Sequence, residues 1–122
     1  MSQRILIVDD AMFMRAMIKD ILANTGRYEV VGEAANGQEA VQKFAQLKPD
    51  LVTMDIVMPQ MDGIEATREI IKQDGKARIV MCSALGQEAL VIESIAAGAK
   101  DFIVKPFSAE KVLKVIETVL AA

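Results

Sequence analysis

There is no histidine and no tryptophan in this 122-residue chain, and only one cysteine. The missing histidine removes the commonest transition-metal ligand and the commonest general base at neutral pH. The lone Cys82 excludes an internal disulfide and a multi-cysteine metal site. Within its apolar run it reads as a reduced, buried thiol. Aromatic residues make up 4% of the chain, so the core has to come from Ile, Val, Leu, Ala and Met. No apolar run approaches the ~18 residues of a membrane span. The segment Met1 to Val8 ends in a four-residue apolar run and is followed by two acids, which is not the layout of a signal peptide. A basic stripe is missing too: the net charge is −3 and Lys and Arg are scattered, against both nucleic acid and anionic membrane surfaces as partners. These absences predict a soluble protein of a reducing, cytoplasmic compartment.

What the chain does contain is a repeated alternation. Ile5-Leu6-Ile7-Val8 is a β-branched-rich run suited to a strand buried on both faces, and Met12 to Ala23 carries apolar residues at helical spacing, with Gly26 placed to end that helix. Tyr28 to Ala34 is more alternating and is expected at a sheet edge. Asn36 with Glu39, and Asp62 with Glu65, form capping boxes opening helices to about Leu47 and about Gln73. Leu51 to Met54, Arg78 to Cys82 and Asp101 to Val104 complete five strands. Helices over Gln87 to Ala97 and from Ser108 to Leu120 complete five helices. One βα unit about every 25 residues demands a parallel sheet with right-handed crossovers and helices on both faces. With no linker, low-complexity segment or repeat, residues 1–122 are expected to form a single domain, monomeric, whose output comes from that domain. Met12, Met14 and Met17 read as packing residues of the first helix.

The strand ends carry the chemistry. A parallel sheet brings its carboxyl ends to one edge, where open α/β sheets bind ligands. Here the first strand ends in Asp9-Asp10, the third in Asp55, the fourth in Ser83 and the fifth in Lys105-Pro106. Asp alone is common at strand exits, but three acids, a hydroxyl and an amine form a more specific set. Crowded carboxylates repel one another and call for a cation, and an all-oxygen donor set selects a hard ion such as Mg²⁺. With a neighbouring Lys such a site suits phosphate oxygens, and a carboxylate there can attack phosphorus to give an acyl phosphate. Ser83 can hydrogen-bond a phosphoryl oxygen. A mere surface salt bridge at Lys105 fits poorly with its place between a buried strand and a proline.

The stretches Ile7-Val8-Asp9-Asp10, Met54-Asp55-Ile56-Val57-Met58-Pro59, Asp62-Gly63, Cys82-Ser83-Ala84 and Lys105-Pro106-Phe107 resemble the receiver domains of two-component response regulators, over the whole chain. Within that family the sequence is most similar to chemotaxis members that serve flagellar motors. The resemblance implies a flavodoxin-like (βα)5 three-layer sandwich, and the strand order 2-1-3-4-5 is taken over from it rather than from any pattern in the residues. It further implies that Asp55 is the phosphoryl acceptor. Asp10, Asp55 and the backbone carbonyl of Ile56 would hold Mg²⁺, with Asp9 assisting through water. Ser83 would follow the phosphoryl group and Lys105 would pair with it. Phe102 would be the switch aromatic, at a position where chemotaxis relatives often carry Tyr. The implied partners are a histidine kinase of the chemotaxis type, a flagellar motor switch protein and a phosphatase. With no histidine, the chain cannot be its own phosphohistidine donor. The implied role is a phosphoacceptor that catalyses its own phosphotransfer and slow dephosphorylation, not an enzyme acting on other substrates.

There are three rival readings, two of them of a different class. An aspartate-nucleophile phosphatase of the haloacid dehalogenase type needs an acid two residues past its nucleophile, where this chain has Val57. A flavin carrier of the flavodoxin fold would have to cradle a phosphate in its first loop, where Asp9-Asp10 would repel it. A single-domain receiver in a different phosphorelay stays open on sequence alone.

Overall fold

The computed structural model describes residues 2–122. Its elements are β1 (Gln3–Val8), α1 (Met12–Ala23), β2 (Tyr28–Ala34), α2 (Gly37–Leu47), β3 (Leu51–Asp55), α3 (Gly63–Gln73), β4 (Ile79–Ser83), α4 (Glu88–Ala97), β5 (Asp101–Val104) and α5 (Ala109–Ala121). The five strands form one parallel sheet in the order β2-β1-β3-β4-β5, so β2 lies at an edge as its weaker pattern predicts.

Both faces of the central strands are covered, which explains their unbroken apolar runs. Alternate residues serve alternate layers. Leu6, Val8, Val52, Met54, Ile79 and Met81 pack with Phe44 of α2, Ile64 and Ile70 of α3 and Val91 of α4. Ile5, Ile7, Leu51, Val80 and Cys82 pack on the other side with Ile18 and Leu22 of α1 and Ile116 of α5. The helix starts follow the capping chemistry: Asn36 accepts from Glu39 N at 2.9 Å, Asp62 from Glu65 N at 2.9 Å and Ser108 from Lys111 N at 3.2 Å.

The first helix corrects one expectation. Ile18 and Leu22 fill its buried stripe, whereas Met12 is 75% exposed and Met17 is also exposed. Those two methionines share the helical period without sharing the buried face, so they are not packing residues, whereas Met14 is half-buried.

One glycine is required by contact. A side chain at Gly63 would run into the backbone carbonyl of Asp55, and the Gly63 N–H donates to the Ile56 carbonyl at 2.7 Å. The start of α3 is thereby drawn against the end of β3, and this close approach fixes the segment that follows Asp55.

Candidate functional site

Asp9, Asp55 and Ser83 are delivered to the carboxyl edge by three neighbouring strands. Asp9 follows β1, Asp55 ends β3 and Ser83 ends β4; Val8 pairs with Met54, and Asp55 with Cys82. Lys105 follows β5, and its N–H donates to the Ser83 carbonyl at 2.7 Å, which ties the fifth strand's exit to the fourth's. The Lys105-Pro106 bond is cis.

Three carboxylates meet there. Oxygens of Asp9, Asp10 and Asp55 all lie within 4.8 Å of one another. Asp9 is 1% exposed and Asp55 8%, while Asp10 is open to solvent. The Lys105 ammonium bridges the two buried acids, 3.3 Å from Asp9 Oδ2 and 3.2 Å from Asp55 Oδ1. One ammonium cannot balance three carboxylates, and the protonation behaviour records the deficit. Burial first, and then the Asp9 charge, push the Asp55 carboxyl from 3.8 up to about 6, against the pull of Lys105. Burial acts to lower Lys105, but Asp55 and Asp9 together hold its ammonium above the ordinary value. The donor set is oxygen only, crowded and anionic, which fits a divalent hard cation such as Mg²⁺.

The Ser83 hydroxyl is buried at the same edge and has no hydrogen-bond partner among the described residues. A buried hydroxyl without a partner costs about 1–3 kcal/mol, so an incoming acceptor at this edge would be stabilised by it. Ser83 also lines a cavity of about 280 Å³ with Leu85, Val91, Ile92, Phe102 and Val104. Phe102 is 40% exposed, standing at the cavity rather than filling the core. The neighbouring Cys82 is inert: its thiol is fully buried and burial pushes it up to about 12.

The structure thus brings together Asp9, Asp10, Asp55, Ser83 and Lys105 as their strand-end positions predict. It departs from the expectation at Ile56. That carbonyl is occupied by the Gly63 N–H, on a residue 1% exposed, and is turned into the loop rather than offered to an ion. The next carbonyl, that of Val57, accepts no hydrogen bond among the described residues. Sequence reasoning also passed over Arg15. Its guanidinium donates to the Asp9 carbonyl at 2.6 Å and to Glu33 at 3.1 Å. An arginine in the first turn of a helix that follows two acids was the available signal, but its partner lies eighteen residues on.

The comparisons with known proteins agree with this geometry. The response regulator receiver domain family matches residues 5–117. The chemotaxis protein CheY of Bacillus subtilis is 62% identical over 120 residues, covering 98% of this chain and 99% of that one. CheY of Thermotoga maritima is 60% identical over 119 residues, covering 98% of each. A chain in the crystal structure of the CheX-CheY-BeF3-Mg²⁺ complex from Borrelia burgdorferi superposes with a TM-score of 0.90 at 41% identity, over 96% of this chain and 88% of that one. With its strand order, acidic edge and near full-length relatives in accord, the chain belongs to the response regulator receiver domain family.

Proposed function

We propose that this chain is a chemotaxis response regulator that accepts a phosphoryl group on Asp55 from a histidine kinase and signals through altered protein binding. The observation that carries the reading is the acidic edge itself: three carboxylates within 4.8 Å, two of them bridged by one half-buried ammonium. The near full-length identity to chemotaxis proteins supports the pathway. On this reading residues 1–122 act as one receiver domain, monomeric and cytoplasmic. No helix among the described residues is long and apolar enough to cross a membrane.

Asp10, Asp55 and the Val57 carbonyl would hold Mg²⁺, with Asp9 assisting through water. Such an ion supplies positive charge that offsets the repulsion between the carboxylates and the incoming phosphoryl oxygens. The protein's own steps follow from position. An Asp55 carboxylate oxygen attacks phosphorus, the bond from phosphorus to the donor breaks, and a mixed anhydride forms. Lys105, now 3.2 Å from Asp55 Oδ1, transfers its pairing to a phosphoryl oxygen. The Ser83 hydroxyl gains the acceptor it lacks and moves toward it. Ser83 and Phe102 line one cavity, so movement of the first gives the second room to turn inward. That inward turn remodels the face of β5 and α4 offered to a flagellar motor switch protein. The CheX-CheY complex of the relative supports a further protein partner, which on this reading is the phosphatase that ends the signal.

The test is to incubate the protein with acetyl phosphate, with and without EDTA, and weigh it. Wild type gains one phosphoryl mass only with Mg²⁺, and Asp55→Asn gains none. Phosphorylation of Asp55→Asn at the wild-type rate would remove Asp55 from this role. A phosphorylated protein that captures a kinase and target outside chemotaxis would instead assign the chain to another relay.

A further inference from the structure

Every polar group of Asp9 is held in place. Its N–H donates to the Ala34 carbonyl at 3.0 Å, its Oδ1 accepts from Ala11 N at 2.9 Å and its Oδ2 faces the Lys105 ammonium at 3.3 Å. The fourth group, the backbone carbonyl, accepts from Arg15 Nη1 at 2.6 Å. Asp10 is held by nothing comparable: no hydrogen bond reaches its carboxylate among the described residues, and it is exposed. Its carboxylate is therefore aimed only by its backbone, and the Asp9 carbonyl is one end of the peptide plane that leads into Asp10.

Arg15 is itself fixed. Its side chain is 14% exposed, and Nε donates to Glu33 Oε1 at 3.1 Å. Glu33 lies on β2, is also approached by Lys19 at 3.7 Å, and accepts at its backbone carbonyl from the Lys43 ammonium. A planar guanidinium can serve both acceptors at once because its donors point in fixed directions, which a lysine ammonium cannot imitate. The guanidinium thus spans from the edge strand to the loop that carries two of the three acids.

We infer that Arg15 is a positioning residue for the acidic pocket, setting the Asp9–Asp10 peptide so that Asp10 converges with Asp55 on one cation. The inference rests on the reading of that pocket as a Mg²⁺ site. It makes a prediction opposite in sign to simple electrostatics. A positive side chain close to a cation site repels the cation, so removing it should tighten binding if charge were all that mattered. If Arg15 positions Asp10, removing it weakens binding. Removing a group that orients a metal ligand typically costs 10- to 100-fold in affinity.

The experiment titrates 15N-labelled protein with MgCl2 and follows backbone amide shifts, without any phosphoryl donor. Melting in EDTA is measured in parallel, because a purely structural role would lower that temperature yet leave the affinity of the folded protein unchanged. Arg15→Met is expected to bind Mg²⁺ roughly tenfold more weakly. Its rate of phosphorylation by acetyl phosphate should return to near wild type once Mg²⁺ saturates. Arg15→Lys keeps the charge without the fork and is expected to fall between, and it carries the test alone if Arg15→Met does not fold. Wild-type affinity in Arg15→Lys and Arg15→Met, or tighter binding in Arg15→Met, overturns the inference while the Mg²⁺ site stands. A wild-type protein whose amides do not respond to Mg²⁺ overturns the site and the inference together.

Discussion

Asp55 sits in a conflict between being buried and being charged. Its carboxyl titrates near 6 in the fold against an ordinary 3.8, chiefly through burial and then through Asp9. Between those values the folded protein binds more protons than the unfolded chain, so stability falls as pH rises through that window. The shift corresponds to roughly 3 kcal/mol at about 1.4 kcal/mol per pH unit, present as a destabilisation at pH 7 in metal-free protein. Asp55→Asn relieves it while keeping an oxygen that can accept from Lys105. In EDTA the variant is expected to be more stable than wild type at pH 7, by up to about 3 kcal/mol, and the gap should close as pH falls below 4. Urea unfolding at a series of pH values measures this. A variant no more stable than wild type at pH 7 would show that Asp55 is not under strain. Lys105 reads the other way: two acids beside it favour its charged form, so it remains a cation throughout this range.

Strands and caps were the most legible elements, because local chemistry decides them. A run such as Leu51 to Met54 has no polar face to offer solvent, and Asn36, Asp62 and Ser108 cap their helices through their own side chains. The convergence of Asp9, Asp55, Ser83 and Lys105 was legible for the same reason: parallel strands put their ends on one side. What escaped was anything that depends on which face a helix turns or how a loop closes. Met12 and Met17 share α1's period but not its buried stripe, and the Ile56 carbonyl is claimed by Gly63 seven residues on. The fourth helix is the same case. Its residues are apolar around much of the circumference, yet only Val91 and Ser94 are buried, Ile92 and Ile95 stand exposed, and Ile92 lines the Ser83 cavity with Phe102. An apolar face left open on a helix beside the Ser83 cavity suits a surface made for a partner. Phe102→Ala is expected to weaken binding of the phosphorylated protein to the proposed motor switch partner about tenfold, in the range of a truncated aromatic anchor. Phosphorylation by acetyl phosphate should be unchanged. Calorimetry on the beryllofluoride-loaded protein checks the first and mass measurement the second; normal binding, or loss of phosphorylation, contradicts this division between switch and acceptor.

For the molecule as a whole, the question is how long the phosphorylated form lasts. Hydrolysis of the acyl phosphate requires a water in line with phosphorus, on the side opposite the Asp55 oxygen. Val57, two residues past Asp55, and Leu85, two past Ser83, are exposed on the loops that follow β3 and β4, at the positions that by resemblance to other receivers flank that path. Neither can hydrogen-bond a water, and both can shield the phosphorus from one. An orienting hydrogen bond is worth about 1 kcal/mol, or several-fold in rate. The expected consequence is slow self-dephosphorylation, with a partner phosphatase ending the signal. Loading Asp55 with labelled phosphate, removing the donor and following the decay measures the lifetime. Val57→Asn combined with Leu85→Glu should shorten it several-fold, because the pair supplies groups that can hold the water while leaving the buried acids and Lys105 untouched. Both positions are exposed, so the double variant should fold as wild type does and its decay can be compared directly. Decay no faster than wild type would mean that access to phosphorus is set instead by the frame of Asp9, Asp55 and Lys105, and not by the two apolar side chains at the rim.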